Sequence, residues 1–147
     1  MAPRQARATA PSIVSVAGRS VLPPATVQRV AGEVCAREKR SAVLSFTFLG
    51  RDRMRLMNRE HMAHDWPTDV ISFALHGPGR ALAGDVYISP WVAAREARAA
   101  GVSLREELIR LVIHGTLHVL GYDHPDGATR QRSPMWRRQE RYVAELA

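Results

Sequence analysis

A chain of 147 residues has the length of one domain, and its hydrophobic fraction of 46% and charged fraction of 24% are ordinary for a globular protein. No apolar run approaches the ~20 residues of a membrane-spanning helix, and residues 1–11 lack the apolar stretch of a secretory signal. The single cysteine excludes an internal disulfide, which favours a reducing compartment, so we expect a cytoplasmic protein. Because no apolar run is long enough to span a membrane, we expect no membrane partner.

The net charge of +7 arises in residues 1–60, which hold 11 Lys and Arg against 4 Asp and Glu. Either an RNA partner or a solvated basic face explains this excess equally well.

Residues 1–11 are predicted to form a disordered tail, and residues 12–147 a single domain. Alternating hydrophobic residues predict strands at residues 12–16 and 41–49, and helical spacing predicts a helix between them at residues 23–39. Asp52 is predicted to cap a short helix that runs to Met62.

The second half of the chain is predicted to begin with a strand at residues 69–75. A turn at residues 76–80 then leads into an antiparallel neighbour at residues 82–89. Helices are predicted at residues 90–100, 104–120 and 134–146, with Ser103 as the N-cap of the middle one. Strands gathered early and helices dominating later predict an α+β fold.

Three histidines around the end of the helix at residues 104–120 form the clearest candidate site. His114 and His118 are four residues apart, which places both imidazoles on one helix face. Gly121 is predicted to end the helix, so that His124 turns back toward the other two. Three neutral imidazoles suit Zn²⁺ and leave its fourth position open, as is typical of a catalytic zinc, which lowers the pKa of bound water to about 7.

The segment HGTLHVLGYDH, residues 114–124, resembles the signature of the YbeY family of bacterial endoribonucleases, which act in ribosomal RNA maturation. The segments PTDVISF, residues 67–73, and GDVYIS, residues 84–89, match the same family in the right order. The resemblance covers most of residues 40–147. It implies a small mixed four-stranded sheet packed with about five helices, and one zinc ion bound by His114, His118 and His124.

The same resemblance implies a function. The chain would be a zinc-dependent, single-strand-specific endoribonuclease that processes the 3′ end of small-subunit ribosomal RNA. Its partners would be ribosomal RNA and the small ribosomal subunit.

Two aspartates in the matching segments are candidate catalytic residues. Asp69 and Asp85 lie near the starts of two predicted strands, where either carboxylate can orient a zinc-bound water or a ligand histidine. A turn aspartate that caps backbone amides is an equally good interpretation of both.

Basic and aromatic residues before Pro67 are candidate RNA contacts. Arg51, Arg55 and Arg59 share the outer face of the predicted short helix, and Trp66 is a candidate for base stacking. A second basic group lies near the C-terminus and comprises Arg130, Arg132, Arg137, Arg138 and Arg141. Either contact with a phosphate backbone or a solvated helix face explains this second group.

One position departs from the family pattern. The family has an arginine five residues before its PTxV motif, and that arginine is taken to be important for RNA cleavage. In this sequence the position is Met62. Arg59, one helical turn earlier, is therefore our candidate for a substitute catalytic cation. Otherwise the protein would bind zinc and RNA but cleave poorly.

Two other functions remain open from the sequence. A zinc peptidase or amidase would share the histidine spacing, but its usual HExxH motif places a glutamate base where this chain has Gly115. A non-catalytic ribosome assembly factor with a structural zinc would need no base at all.

Overall fold

The computed structural model describes residues 10–76 and 82–147, so most of the predicted tail and most of the predicted turn at residues 76–80 lie outside the described residues. The described elements, in chain order, are β1 (Ile13–Ala17), α1 (Pro24–Arg37), β2 (Ala42–Phe48), α2 (Arg51–Met62), β3 (Val70–His76), β4 (Leu82–Ile88), α3 (Pro90–Ala100), α4 (Leu104–Val119), a 3₁₀ segment (Gly127–Arg132) and α5 (Pro134–Leu146). Within these residues, no helix has the length and hydropathy that crossing a bilayer requires.

The four strands form one mixed sheet in the order β1-β2-β4-β3. β1, β2 and β4 run parallel, and β3 pairs antiparallel with β4. The antiparallel pairing of these last two strands was predicted from the sequence. With five α-helices around this sheet, the predicted α+β class and mixed four-stranded sheet are confirmed.

The two faces of the sheet differ in burial because the strand side chains alternate. On β2, Leu44 and Phe46 point into the core, whereas Val43 is exposed. The buried face packs against α1 and α4, whose apolar residues join the same core cluster. Cys35 lies on α1 within this cluster and is fully buried, and burial raises the pKa of its thiol.

Helix α4 is the central element of the core, with 11 of its 16 residues buried. It approaches the sheet closely because two contact positions have no side chain. A Cβ atom on Gly115 would lie 2.5 Å from Cγ1 of Val86, and one on Gly84 would lie 2.3 Å from Cγ2 of Val119. The predicted N-cap is confirmed, since Oγ of Ser103 accepts a hydrogen bond from the backbone N–H of Glu106 at 3.0 Å. The close packing holds the C-terminal turn of α4 firmly against β3 and β4.

One local prediction was wrong, and one short element was not predicted. Asp52 does not cap α2, because the helix begins at Arg51 with Gly50 at the N-cap position. The carboxylate of Asp52 lies instead in the first turn, where the helix dipole favours a negative charge. The 3₁₀ segment Gly127–Arg132 was missed, since a short polar stretch after a glycine has no periodicity that predicts a helix.

Candidate metal centre and its cleft

The three predicted histidines come together at the C-terminal end of α4. His114 and His118 lie on the last turns of the helix, and the chain then leaves through Gly121, which has a φ of +105°. The turn returns His124 to the same point, and one nitrogen from each ring lies within 4.8 Å of the others. The three ring centroids are 4.8 to 5.0 Å apart. Nδ1 of His124 is 3.1 Å from the carbonyl oxygen of Pro125, a contact that restrains this ring from the loop side.

Burial keeps the first two imidazoles neutral. His114 is 4% exposed, and burial, which disfavours the charged imidazolium, lowers its pKa to about 3. Burial also lowers the pKa of His118. A neutral imidazole has a free lone pair, so His114 and His118 offer nitrogen ligands at neutral pH without first losing protons. Three imidazole nitrogens, with no further His, Cys, Asp or Glu grouped with them among the described residues, fit an open metal site.

A buried amide orients the first histidine. Nδ1 of His114 lies 2.6 Å from Oε1 of Gln139, whose side chain is 1% exposed. The amide oxygen can only accept, so Nδ1–H donates and Nε2 is left as the ligand nitrogen. The role of Gln139 was not predicted from the sequence. Its signal was a polar residue in the apolar stripe of α5, between Met135 and Val143, where a core residue is expected.

The histidines line an open cleft of about 520 Å³. Its walls come from the end of α2, the start of β3 and the segment after α4, and include Met62, His64, Thr68, Asp69, Ser72, Asp123, Asp126 and Arg130. The cluster is therefore accessible from solvent on one side and enclosed by the core on the other. Such an arrangement can place a bound metal against a substrate that enters the cleft.

Comparison with known proteins identifies the family. A sequence model of the family described as Endoribonuclease YbeY matches residues 22–147.

The chain belongs to the YbeY family of endoribonucleases.

The "Endoribonuclease YbeY" of Chloroherpeton thalassium is 40% identical over 115 residues, which cover 78% of this chain and 77% of the relative. The protein of the same description from Geobacillus kaustophilus is 38% identical over 134 residues, or 82% and 85% of the two chains. The solution structure of TM1509 from Thermotoga maritima is similar with a TM-score of 0.65 and 25% identity, over 91% of this chain and 89% of that one. The protein therefore belongs to an enzyme family of the nucleic-acid hydrolase class.

The two candidate aspartates have different positions in this YbeY-family structure. Asp69 lines the cleft, where Oδ1 accepts hydrogen bonds from the N–H of Val70 at 2.8 Å and from Oγ1 of Thr68 at 3.4 Å. Burial raises the pKa of its carboxyl group, and the positive charge of Arg130 opposes that shift. Asp85 lies on the opposite face of the sheet and accepts a hydrogen bond from Oγ of Ser45 at 2.6 Å. The fold does not bring Asp85 to the histidines.

The candidate cations of α2 lie outside the cleft. Arg59 is exposed and borders a separate surface groove with Arg55, whereas Met62 lines the cleft itself. Arg55 forms a two-point ion pair with Asp65 at 3.0 and 3.2 Å. The guanidinium of Arg51 lies 5.1 Å from the ring centre of a neighbouring tryptophan on α3. The structure therefore places no arginine of α2 beside the histidine cluster.

The candidate stacking residue lies at the edge of the cleft. Trp66 is 56% exposed, and its ring stacks on that of His64 with centroids 4.6 Å apart and planes 28° apart. His64 itself lines the cleft. An exposed aromatic pair therefore lies next to the space that the histidines border.

The glycine that follows His114 bears on the peptidase alternative. The Cα of Gly115 faces Val86 of β4 so closely that even one added carbon atom would overlap. A glutamate at this position would point into the core rather than into the cleft. The backbone geometry therefore excludes an HExxH-type base here, in agreement with membership of a nuclease family.

Proposed function

We propose that this protein is a zinc-dependent endoribonuclease that cuts single-stranded RNA during processing of the 3′ end of small-subunit ribosomal RNA. The observation that supports this proposal best is the convergence of His114, His118 and His124 at an open cleft in a chain of the YbeY family. Neutral imidazoles are ligands that zinc prefers, and three of them leave a position for substrate or water.

The residues around the cluster have distinct roles in this proposal. Zinc bound by the three histidines would supply Lewis acidity toward a phosphodiester. Gln139 holds His114 in the ligating tautomer, and the buried carboxyl of Asp69 can hold or release a proton at the cleft wall. The geometry supports Asp69 in this role, whereas Asp85 faces away and Arg59 lies outside the cleft lining.

The cleft and α2 together suggest a path for the RNA strand. A base that stacks on exposed Trp66 would lie beside His64 and thus next to the cleft. Arg51 and Arg55 on α2 would then contact neighbouring phosphates, with Arg55 exchanging Asp65 for phosphate. Base stacking requires an unpaired base, which favours a single-stranded substrate over a duplex.

Ribosomal RNA and the small ribosomal subunit in the cytoplasm are the partners that we propose. The basic excess in residues 1–60 and the single, buried cysteine are consistent with an RNA partner in a reducing compartment. A non-catalytic assembly factor with a structural zinc is the second candidate. The α2 residue that lines the cleft is the uncharged Met62, so α2 contributes no cation to the cleft.

Metal content and cleavage, measured together, test the proposal. Purified protein is expected to contain one zinc ion per chain, and His114→Ala is expected to lose most of the zinc and to unfold at lower temperature. His61→Ala is the matched control, because this exposed histidine does not line the cleft and contacts only the edge of Phe73 among the described aromatic rings. Unchanged zinc content in His114→Ala would contradict the proposed site.

Substrate choice separates the alternatives. Protein with zinc is expected to cut single-stranded RNA, to leave duplex RNA and an unstructured peptide intact, and to lose activity with a chelator until zinc is restored. Retained zinc without any RNA cleavage would instead support the assembly factor, and peptide cleavage would support an amidase.

A further inference from the structure

The charges that line the cleft are mostly negative. Asp69, Asp123 and Asp126 contribute carboxyl groups, and Arg130 is the single Arg or Lys among the described residues of the lining. A phosphodiester that enters this space meets like charges unless cations offset them. A metal ion at the histidines provides one positive centre, and Arg130 is the side chain that can provide another.

The guanidinium of Arg130 has an unmet hydrogen-bonding group. Its Nε is buried and has no hydrogen-bond partner among the described residues. Arg130 also makes no ion pair with any of the described residues. Arg110, in contrast, has a guanidinium that contacts Glu106, Glu107 and Glu140. A buried N–H donor without an acceptor is unfavourable, so a small shift of the side chain that brings the guanidinium within reach of an anionic oxygen in the cleft is favoured.

The surroundings of Arg130 hold the side chain near the histidines. It lies on the 3₁₀ segment that directly follows the loop of His124, and its guanidinium lies 5.7 Å from the ring centre of Trp136. It lines the same cleft as His114, His118 and His124. A cation–π contact with an aromatic ring restricts a guanidinium, which lowers the entropy lost when it binds a ligand.

We propose that Arg130 is a substrate-binding residue that contacts a phosphate of the RNA strand inside the cleft, beside the histidine cluster. This inference rests on the proposed endoribonuclease function and names the side chain that would neutralise the phosphate. It also explains how the cleft accommodates RNA although Met62 contributes no charge.

A phosphate scan tests the contact directly. The ligands are short 2′-O-methyl RNA strands in which each phosphate in turn is replaced by an uncharged methylphosphonate, and binding is measured with zinc-loaded protein. At one linkage the replacement is expected to weaken binding to the parent by about tenfold, as for a charge-assisted hydrogen bond, and to leave binding to Arg130→Gln unchanged. Arg130→Lys is expected to show an intermediate loss, because it keeps the charge but not the planar fork.

The matched control is Arg105→Gln, an exposed arginine of α4 that does not line the cleft. It is expected to reproduce the parent pattern at every linkage. Zinc content and melting temperature of each variant show whether the histidine site and the fold are intact.

The outcomes separate this inference from the proposed function. If the parent cuts single-stranded RNA with zinc but Arg130→Gln keeps the full parent pattern in the scan, Arg130 has only a structural role and the inference is wrong. If the parent neither cuts RNA nor responds to any phosphate replacement, the proposed function and the inference both fail.

Discussion

The Nδ1 atom of His114 lies 2.6 Å from Oε1 of Gln139, and this contact joins the metal-site helix α4 to the C-terminal helix α5. Both side chains are buried, so water does not compete for the hydrogen bond. Because an amide does not titrate, the acceptor keeps the same orientation and charge across the physiological pH range.

Removing the acceptor is expected to weaken metal binding. Gln139→Leu should lower zinc affinity by about 10- to 100-fold, since the ring of His114 loses the partner that fixes its tautomer. Gln139→Glu keeps an acceptor and should bind zinc at least as tightly as the parent. Titration against a competing chelator measures both, with the exposed Gln131→Leu as control. Equal zinc affinity in Gln139→Leu and the parent would show that the contact has no role in ligation.

Close approach of α4 to the sheet makes Gly115 a sensitive position. A Cβ added there would lie 2.5 Å from Val86, so Gly115→Ala is expected to destabilise the protein by about 1–3 kcal/mol through overpacking. Val86→Ala should suppress part of that loss in the double variant, because it removes the overlapping methyl groups. Denaturant unfolding provides the measurement.

Gly32→Ala on α1 is the control for a glycine with open space around it, and it should raise stability by about 0.5–1 kcal/mol. If Gly115→Ala were as stable as the parent, the helix and sheet would be free to move apart.

RNA affinity is expected to depend on the face of α2 formed by Arg51, Arg55 and Arg59. Replacing all three with Gln should reduce the slope of log affinity against log salt concentration by the equivalent of up to about three phosphate contacts. The comparison variant replaces the exposed Arg132, Arg137 and Arg141, and it should change the slope less.

Arg138 is left out of the comparison variant because it pairs with Glu38. An unchanged slope after loss of the α2 arginines would mean that this face is only solvated.

A cation at position 62 is expected to increase cleavage. Met62 lines the cleft and is 39% exposed, so Met62→Arg should place a guanidinium near the histidines and raise the single-turnover rate on single-stranded RNA without changing zinc content. Met62→Leu is the control for the loss of methionine.

Arg59→Ala decides whether Arg59 serves as the substitute cation that the sequence suggested. A lower rate would support that role, whereas a parent-like rate would agree with its position outside the cleft lining. If Met62→Arg also gains nothing, no arginine on α2 takes part in the chemistry.

Local patterns in the sequence were sufficient for the elements and for the histidine cluster. The spacing of His114 and His118, the stop at Gly121 and the short return to His124 all depend on backbone geometry within one segment, which is why the sequence predicted their convergence. The antiparallel pairing of β3 with β4 was predictable for a similar reason, because only a few residues separate the two strands in the sequence.

Contacts between distant segments were decided only by the tertiary structure. Gln139 reaches His114 across 25 positions in the sequence, and Asp85 faces away from the histidines because the register of β4 sends alternate side chains to opposite sides of the sheet. The placement of Arg130 in the cleft likewise depends on a 3₁₀ segment that shows no periodicity. The sequence by itself determined which residues could bind a metal, since ligand spacing is local. The packing of α4 against the sheet and α5 determined what surrounds those residues, since burial and charge depend on which faces of the chain meet.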